Sequence, residues 1–268
     1  MSDTVIAIEQ VSHRYRERIA LADLNLGVRA GSLVGLLGPN GSGKSTLLGL
    51  LSTRLALQSG KVSILGLDLA TQVAGIRGRL GVVFQRPSLD RRLTVRENLH
   101  YGGQMYGLTG TALRQRIDQV LTQFRLEDRR DSIVETLSGG LARRVELAKG
   151  LLHRPEVVLL DEPSTGLDPA ARRDLWNALS DLRSQGVTTL VSTHLASEGE
   201  QCDEVHILHQ GKLVASGAPT SLQQSVGQDI LAIQAVDPGE LLAVLRSDFE
   251  LTPQMHGGQL RIECPSGA

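Results

Sequence analysis

Aromatic residues are scarce: three phenylalanines, three tyrosines and one tryptophan, Trp176, make up 3% of the 268 residues. Such a chain lacks the stacking platform that single-stranded nucleic acid requires, and leucine and valine must fill the core instead. An excess of either charge is missing too. Lys and Arg number 28 against 29 Asp and Glu, for a net charge of -1, so no global positive field is available to hold a phosphate backbone. No nucleic-acid partner is expected. The two cysteines, Cys202 and Cys264, form no C-x-x-C pair, and the opening MSDTVIAIEQ has neither a basic n-region nor a long apolar h-region. Both features fit a reducing, cytoplasmic compartment. Apolar runs such as Val157 to Leu160 fall far short of the roughly 20 residues that span a bilayer, so any membrane role must come through a partner. Internal repeats and low-complexity tracts are lacking.

What is present is enough for one large α/β domain with a small addition, since single cores stop growing near roughly 250 to 300 residues. With 41% hydrophobic and 21% charged residues the chain lies in the range of folded soluble proteins. Short alternating patterns at 4–11 and 21–28, separated by the charged HRYRER, predict an antiparallel strand pair. SLVGLLG (32–38) is an apolar strand entering a glycine-rich turn. Beyond the turn Leu47, Leu50, Leu51 and Leu55 are expected on one helical stripe. KVSILGLDL (61–69) suggests a small strand pair and LGVVFQ (80–85) a further strand. From about 94 to 150 the pattern is helical. The strands EVVLLDEP (156–163) and VTTLVSTH (187–194), with a helix over 169–186 between them, are apolar like parallel strands covered on both faces. Their C-terminal ends turn polar, where open α/β sheets place ligands. A hairpin turning at Gln210 and Gly211 closes a core over residues 1–220. Residues 221–268 suggest strand, helix, strand, with Ile230, Ala232, Leu241, Leu242 and Leu245 to bury. About 40 residues are marginal as an independent core, so this appendage is expected to pack on the core or on a partner copy, with a stabilising or regulatory role.

The strongest chemical signal is GPNGSGKST, comprising Gly38, Pro39, Asn40, Gly41, Ser42, Gly43, Lys44, Ser45 and Thr46. It satisfies G-x-x-x-x-G-K-[ST] and lies between a predicted strand and a predicted helix, the context that phosphate binding by this motif requires. Small residues let backbone amides point into a nest, with the positive end of the helix behind them. Lys44 would then reach the β and γ phosphates, and the Ser45 hydroxyl would face Mg2+. A metal carboxylate is expected from a neighbouring strand, and VVLLDEP ends in Asp161 and Glu162. Strand alternation sends them opposite ways. Asp161 is the expected Mg2+ ligand, and Glu162 the group that polarises the attacking water.

At 137–141 stands LSGGL, followed by ARRVELAKGLL. With these motifs in this order the sequence resembles the ATP-binding subunit of ABC transporters over about residues 4–220. The resemblance implies an ABC cassette of the P-loop NTPase class: a mostly parallel core sheet, an antiparallel β subdomain and a helical subdomain at about 94–150. The family signature is typically LSGGQ, and here Leu141 replaces glutamine. That leaves the backbone logic of Ser138, Gly139 and Gly140 at a helix start, itself an anion site. Tyr15 matches the aromatic that stacks on adenine. Gln85 matches the glutamine that touches Mg2+ and water, Asp168 the loop that crosses to the other subunit, and His194 the histidine at the γ phosphate. Singly, each also suits a plainer role: exposed strand tyrosine, strand-end glutamine, helix cap and packing histidine.

The resemblance further implies a composite site, with the phosphate loop of one subunit facing the signature of another, so that ATP closes a homodimer or heterodimer. ATP and Mg2+ are the expected ligands, and a membrane-embedded permease is the expected partner. The contact with it is expected along RPSLDRRLTVREN between Gln85 and Asn98, with the chain peripheral on the cytoplasmic face. LDRRLTVRENL, the signature run and the appendage resemble the multidrug or daunorubicin-type export class. The competing reading is a soluble ABC ATPase acting as a clamp in translation or DNA repair. One cassette in 268 residues without a coiled-coil insertion disfavours it.

Overall fold

Five parallel strands and one antiparallel edge strand form the central sheet, in the order β10-β9-β3-β8-β7-β6. The strands are β3 (Leu33–Leu37), β6 (Leu80–Val83), β7 (Val157–Asp161), β8 (Thr188–Thr193), β9 (Glu204–His209) and β10 (Lys212–Gly217). In this computed structural model residues 4–226, 228–233, 241, 242, 245, 254–256 and 259–265 are described. Every residue of β7 and β8 is buried, which is why both strands lack the polar alternation of a half-exposed sheet. Each buried Val or Leu here contributes roughly 1.5–3 kcal/mol.

A second, antiparallel sheet takes the order β2-β1-β4-β5, from β1 (Thr4–Tyr15), β2 (Arg18–Arg29), β4 (Ser59–Ile64) and β5 (Leu67–Asp68). The charged HRYRER is therefore no long connector. Arg14 pairs with Ile19 and Tyr15 with Arg18, because ladder bonds need no apolar side chains, and Arg16 and Glu17 alone make the turn. Ile6, Ile8 and Val11 of β1 share one core with Leu47, Leu50 and Leu51 of α1 (Lys44–Leu51). Leu55 is not on this helix. Thr53 takes a left-handed conformation (φ 61) and the Leu55 amide bonds back to the Gly49 carbonyl, so Leu55 reaches the core from the following turn.

After α2 (Val73–Arg79) and β6 the chain enters the helices α3 (Val95–Gln104), α4 (Gly110–Gln123) and α5 (Gly139–Gly150). Thr94 and Glu97 form a reciprocal capping box at the start of α3, worth about 1 kcal/mol. Gln85 lies two residues beyond β6, not at its end, since the Phe84 carbonyl is held by Arg143 of α5 at 2.9 Å. The α6 helix (Pro169–Ser184) buries Leu175, Trp176, Leu179 and Leu182 on one face. It is followed by β8 and the short α7 (Ala196–Gly199).

The chain divides into two units, Met1–Pro219 and Thr220–Ala268, with α8 (Pro219–Val226) at the junction. The second unit holds an antiparallel sheet in the order β11-β13-β12, from β11 (Gln228–Ile233), β12 (Gln254–His256) and β13 (Gln259–Pro265). The short β12 had no sequence signal, as three polar-flanked residues carry no alternation. Leu241, Leu242 and Leu245 are helical, with Leu245 buried. The side chains of Ile230 and Ala232, and the rest of the expected helix, lie outside the described residues.

Candidate active site

The turn from β3 to α1 is built around a backbone that side chains would block. Gly38 has φ 154, and a Cβ there would stand 2.3 Å from the Leu208 carbonyl oxygen of β9. The Lys44 side chain is almost wholly buried and its ammonium donates to the carbonyls of Gly38 (2.6 Å) and Pro39 (3.2 Å). Burial pushes this ammonium below the usual lysine range, with Glu162 and Asp161 opposing. The Ser42 hydroxyl is buried without a hydrogen-bond partner. An open cleft runs along the loop, lined by Tyr15, Arg18, Ala20, Asn40, Gly41, Gly43, Lys44, Ser45, Thr46 and Glu162. Tyr15 lies at the end of β1, 46% exposed and edge-on to the His13 ring.

Asp161 ends β7 with its Oδ1 accepting from the Ser45 (3.3 Å) and Ser192 (2.7 Å) hydroxyls. Glu162 diverges from it for a reason other than strand alternation. It sits past the strand in a left-handed conformation, φ 44, which costs a non-glycine residue about 1 kcal/mol or more and recurs at functional sites. The turn swings its carboxylate among four side chains. Oε1 lies 3.8 Å from Lys44 Nζ and 3.8 Å from His194 Nδ1, and Oε2 accepts from Gln85 Nε2 and Thr165 Oγ1, each at 3.3 Å.

The glycine-rich loop, Asp161, Glu162, Gln85 and His194 thus converge beyond the C-terminal ends of β3, β6, β7 and β8. Ser138 and Asp168 do not line the cleft. Both are exposed N-caps: Ser138 Oγ accepts from Leu141 N at 3.4 Å on α5, and Asp168 Oδ1 from the amides of Ala170 (2.9 Å) and Ala171 (2.8 Å) on α6. Gly139 is exposed, and Gly140 faces Ala171.

Sequence reasoning missed Ser192, whose hydroxyl also accepts the Glu162 amide at 2.9 Å. A lone serine in an apolar strand was the available signal. It also missed Arg18, whose Nη2 lies 3.4 Å from the Gly41 carbonyl at the cleft rim. The signal there was a cation three residues beyond Tyr15.

The family model described as ABC transporter matches residues 21–165. The chain belongs to the ABC transporter family. Among curated relatives of this ABC chain is the Nod factor export ATP-binding protein I of Neorhizobium galegae, 39% identical over 90% of this chain and 70% of its own length. Another is the daunorubicin resistance ATP-binding protein DrrA3 of Streptomyces coeruleorubidus, 36% identical over 91% of this chain and 78% of its own. A solved dimeric, post-hydrolysis state of an ATP-binding cassette bound to ADP and Pi is 26% identical, with TM-score 0.72 over 80% of this chain and 98% of that one. The fold is thus that of ABC cassettes: a mostly parallel sheet, an antiparallel sheet and a helical region. Among the described residues of this ABC protein, no helix is long and apolar enough to cross a membrane.

Proposed function

We propose that the chain hydrolyses ATP and thereby powers a separate membrane permease in export, working as a pair of cassettes. The observation that carries this reading is the Glu162 carboxylate held between Lys44, Gln85 and His194. In that position it accepts the proton of a water attacking the γ phosphorus, while Lys44 neutralises the β and γ oxygens. Tyr15 stacks on the adenine at the open end of the cleft. Mg2+ fits the donor set, because the Ser45 hydroxyl and the Asp161 carboxylate meet at 3.3 Å and Gln85 reaches the neighbouring Glu162 at 3.3 Å. One or two protein oxygens with phosphates and waters suffice for this ion. Among the described residues no group of three acidic, His or Cys side chains forms a dedicated metal cage. When bound, Mg2+ would offset the negative charge of the phosphates.

Pairing follows from the separation of motifs. Ser138 and Asp168 present helix N-termini outward, so each phosphate loop needs these groups from a second cassette. The segment from Arg86 to Asn98 is the proposed permease contact, and all of its residues up to Arg92 except the half-buried Leu89 are exposed. Export is supported by the name of the Nod factor export relative. Glu162→Gln is expected to keep ATP affinity while slowing hydrolysis roughly 100-fold to 10,000-fold. Near-normal turnover would refute the role of Glu162. Recovery of a polytopic membrane protein with the chain from native membrane tests the permease.

A further inference from the structure

Arg143 and Glu146 lie three residues apart on α5, with side chains only 10% and 4% exposed, and none of the nucleotide motifs includes them. A buried ion pair is poor evidence for stability, since apolar residues of similar volume often serve as well. The contacts here have another logic. Arg143 Nε donates to the Pro163 carbonyl at 2.9 Å, Nη1 to the Phe84 carbonyl at 2.9 Å and to Glu146 Oε2 at 2.7 Å, and Nη2 points at the Asp161 carbonyl at 3.5 Å. Phe84 immediately precedes Gln85, and Pro163 immediately follows Glu162. The guanidinium therefore brackets the two residues whose side chains meet at 3.3 Å. Glu146 fixes the guanidinium and also accepts the Ser88 amide through Oε1 at 2.5 Å. One turn on, Lys149 donates to the Ser88 carbonyl at 2.8 Å.

We propose that Arg143 and Glu146 are positioning residues, which set Gln85 and Glu162 against each other from the helix that Ser138 begins. The proposal rests on the reading of Glu162 as the base. The planar fork of a guanidinium suits the task because its donors are rigidly spaced and directed, so that it sets the geometry between two carbonyls, whereas the donors of an ammonium rotate on a flexible stem.

The test uses the full chain with Mg-ATP. Arg143→Met with Glu146→Leu removes both charges together and leaves no lone buried ion. It is expected to lower kcat at least ~10-fold, the scale of a small misplacement of a reacting group, with KM and ATP affinity within about twofold of the parent. Adding Gln85→Ala to that background should cost almost nothing further, whereas in the parent it costs activity. A merely structural role would leave the Gln85→Ala penalty unchanged. Arg143→Lys keeps the charge but not the fork, and carries the same test if the double variant fails to fold: kcat falls several-fold while the melting temperature holds. Parental kcat in Arg143→Lys, or full additivity with Gln85→Ala, overturns the proposal. Glu162→Gln, assayed alongside, separates the two readings: activity there removes the base assignment, and inactivity there with a parental Arg143→Lys removes only the positioning role.

Discussion

Ser192 stands directly opposite Asp161 in the parallel pairing of β8 with β7, and its fully buried hydroxyl donates to Asp161 Oδ1 at 2.7 Å. Ser192 Oγ in turn accepts the amide of Glu162. One hydroxyl thus holds the side chain of the first acid and the backbone of the second. Ser192→Ala leaves a buried amide and a carboxylate short of one partner each, at a cost of about 1–3 kcal/mol. Thermal denaturation should show a drop of several degrees, and ATPase assays a fall in kcat exceeding the loss of folded protein. An unchanged melting temperature would show that the hydroxyl is dispensable.

Lys44→Ala removes the one ammonium that the phosphate loop encloses. ATP affinity, measured by titration calorimetry, is expected to weaken by about 10-fold or more, as for loss of a charge-assisted contact. Unaltered affinity would mean that the backbone nest alone binds the phosphates.

Ser138→Arg places bulk at an exposed helix start, where a phosphate from a second subunit is proposed to approach. Binding of ATP by a single chain should survive it. On a Glu162→Gln background, size-exclusion chromatography with ATP should show a dimer that disappears when Ser138→Arg is added. Persistence of the dimer would remove the composite site.

Acid sensitivity has a local source in His206. Burial holds this imidazole below the usual histidine range, against the opposing pull of Glu204 and of the Gly27 carbonyl, with Nε2 3.1 Å from that carbonyl and Nδ1 2.8 Å from Ser216 Oγ. The unfolded chain therefore takes up its proton first as pH falls. The stabilisation is complete above roughly pH 6.5, the unfolded value, and is lost progressively below it toward the folded value. His206→Gln should flatten the fall in melting temperature between about pH 6.5 and 5.5. An equal slope in both proteins would assign the acid sensitivity elsewhere, His153 being shifted in the same direction by burial.

The phosphate loop and the acid pair were legible in the sequence because each is a short contiguous run between elements of clear pattern. Gln85 and His194 carried little by themselves and came into view only through family resemblance. Ser192 offered only the weak signal of one serine in its strand, and Arg143 offered none. Their partners lie 31 residues away at Asp161 for Ser192 and 59 residues away at Phe84 for Arg143, and distant pairing leaves no periodic trace. The left-handed backbone at Glu162 was hidden for a related reason: a strained residue is retained by its surroundings, and its own identity announces nothing. Leu55 misled through the opposite fault, since its helical spacing continued past the point where Thr53 had already turned the chain.

Gly140 faces Ala171 so closely that a Cβ added to it would lie 2.7 Å from the alanine Cβ. Arg144 and Asp174 bridge the same two helices a turn further on. The close approach and the ion pair tie the start of α5 to the start of α6. Ser138 and Asp168, the caps that open these helices, therefore keep a fixed spacing. A neighbouring subunit that engaged both caps, as proposed, would meet them as a single template.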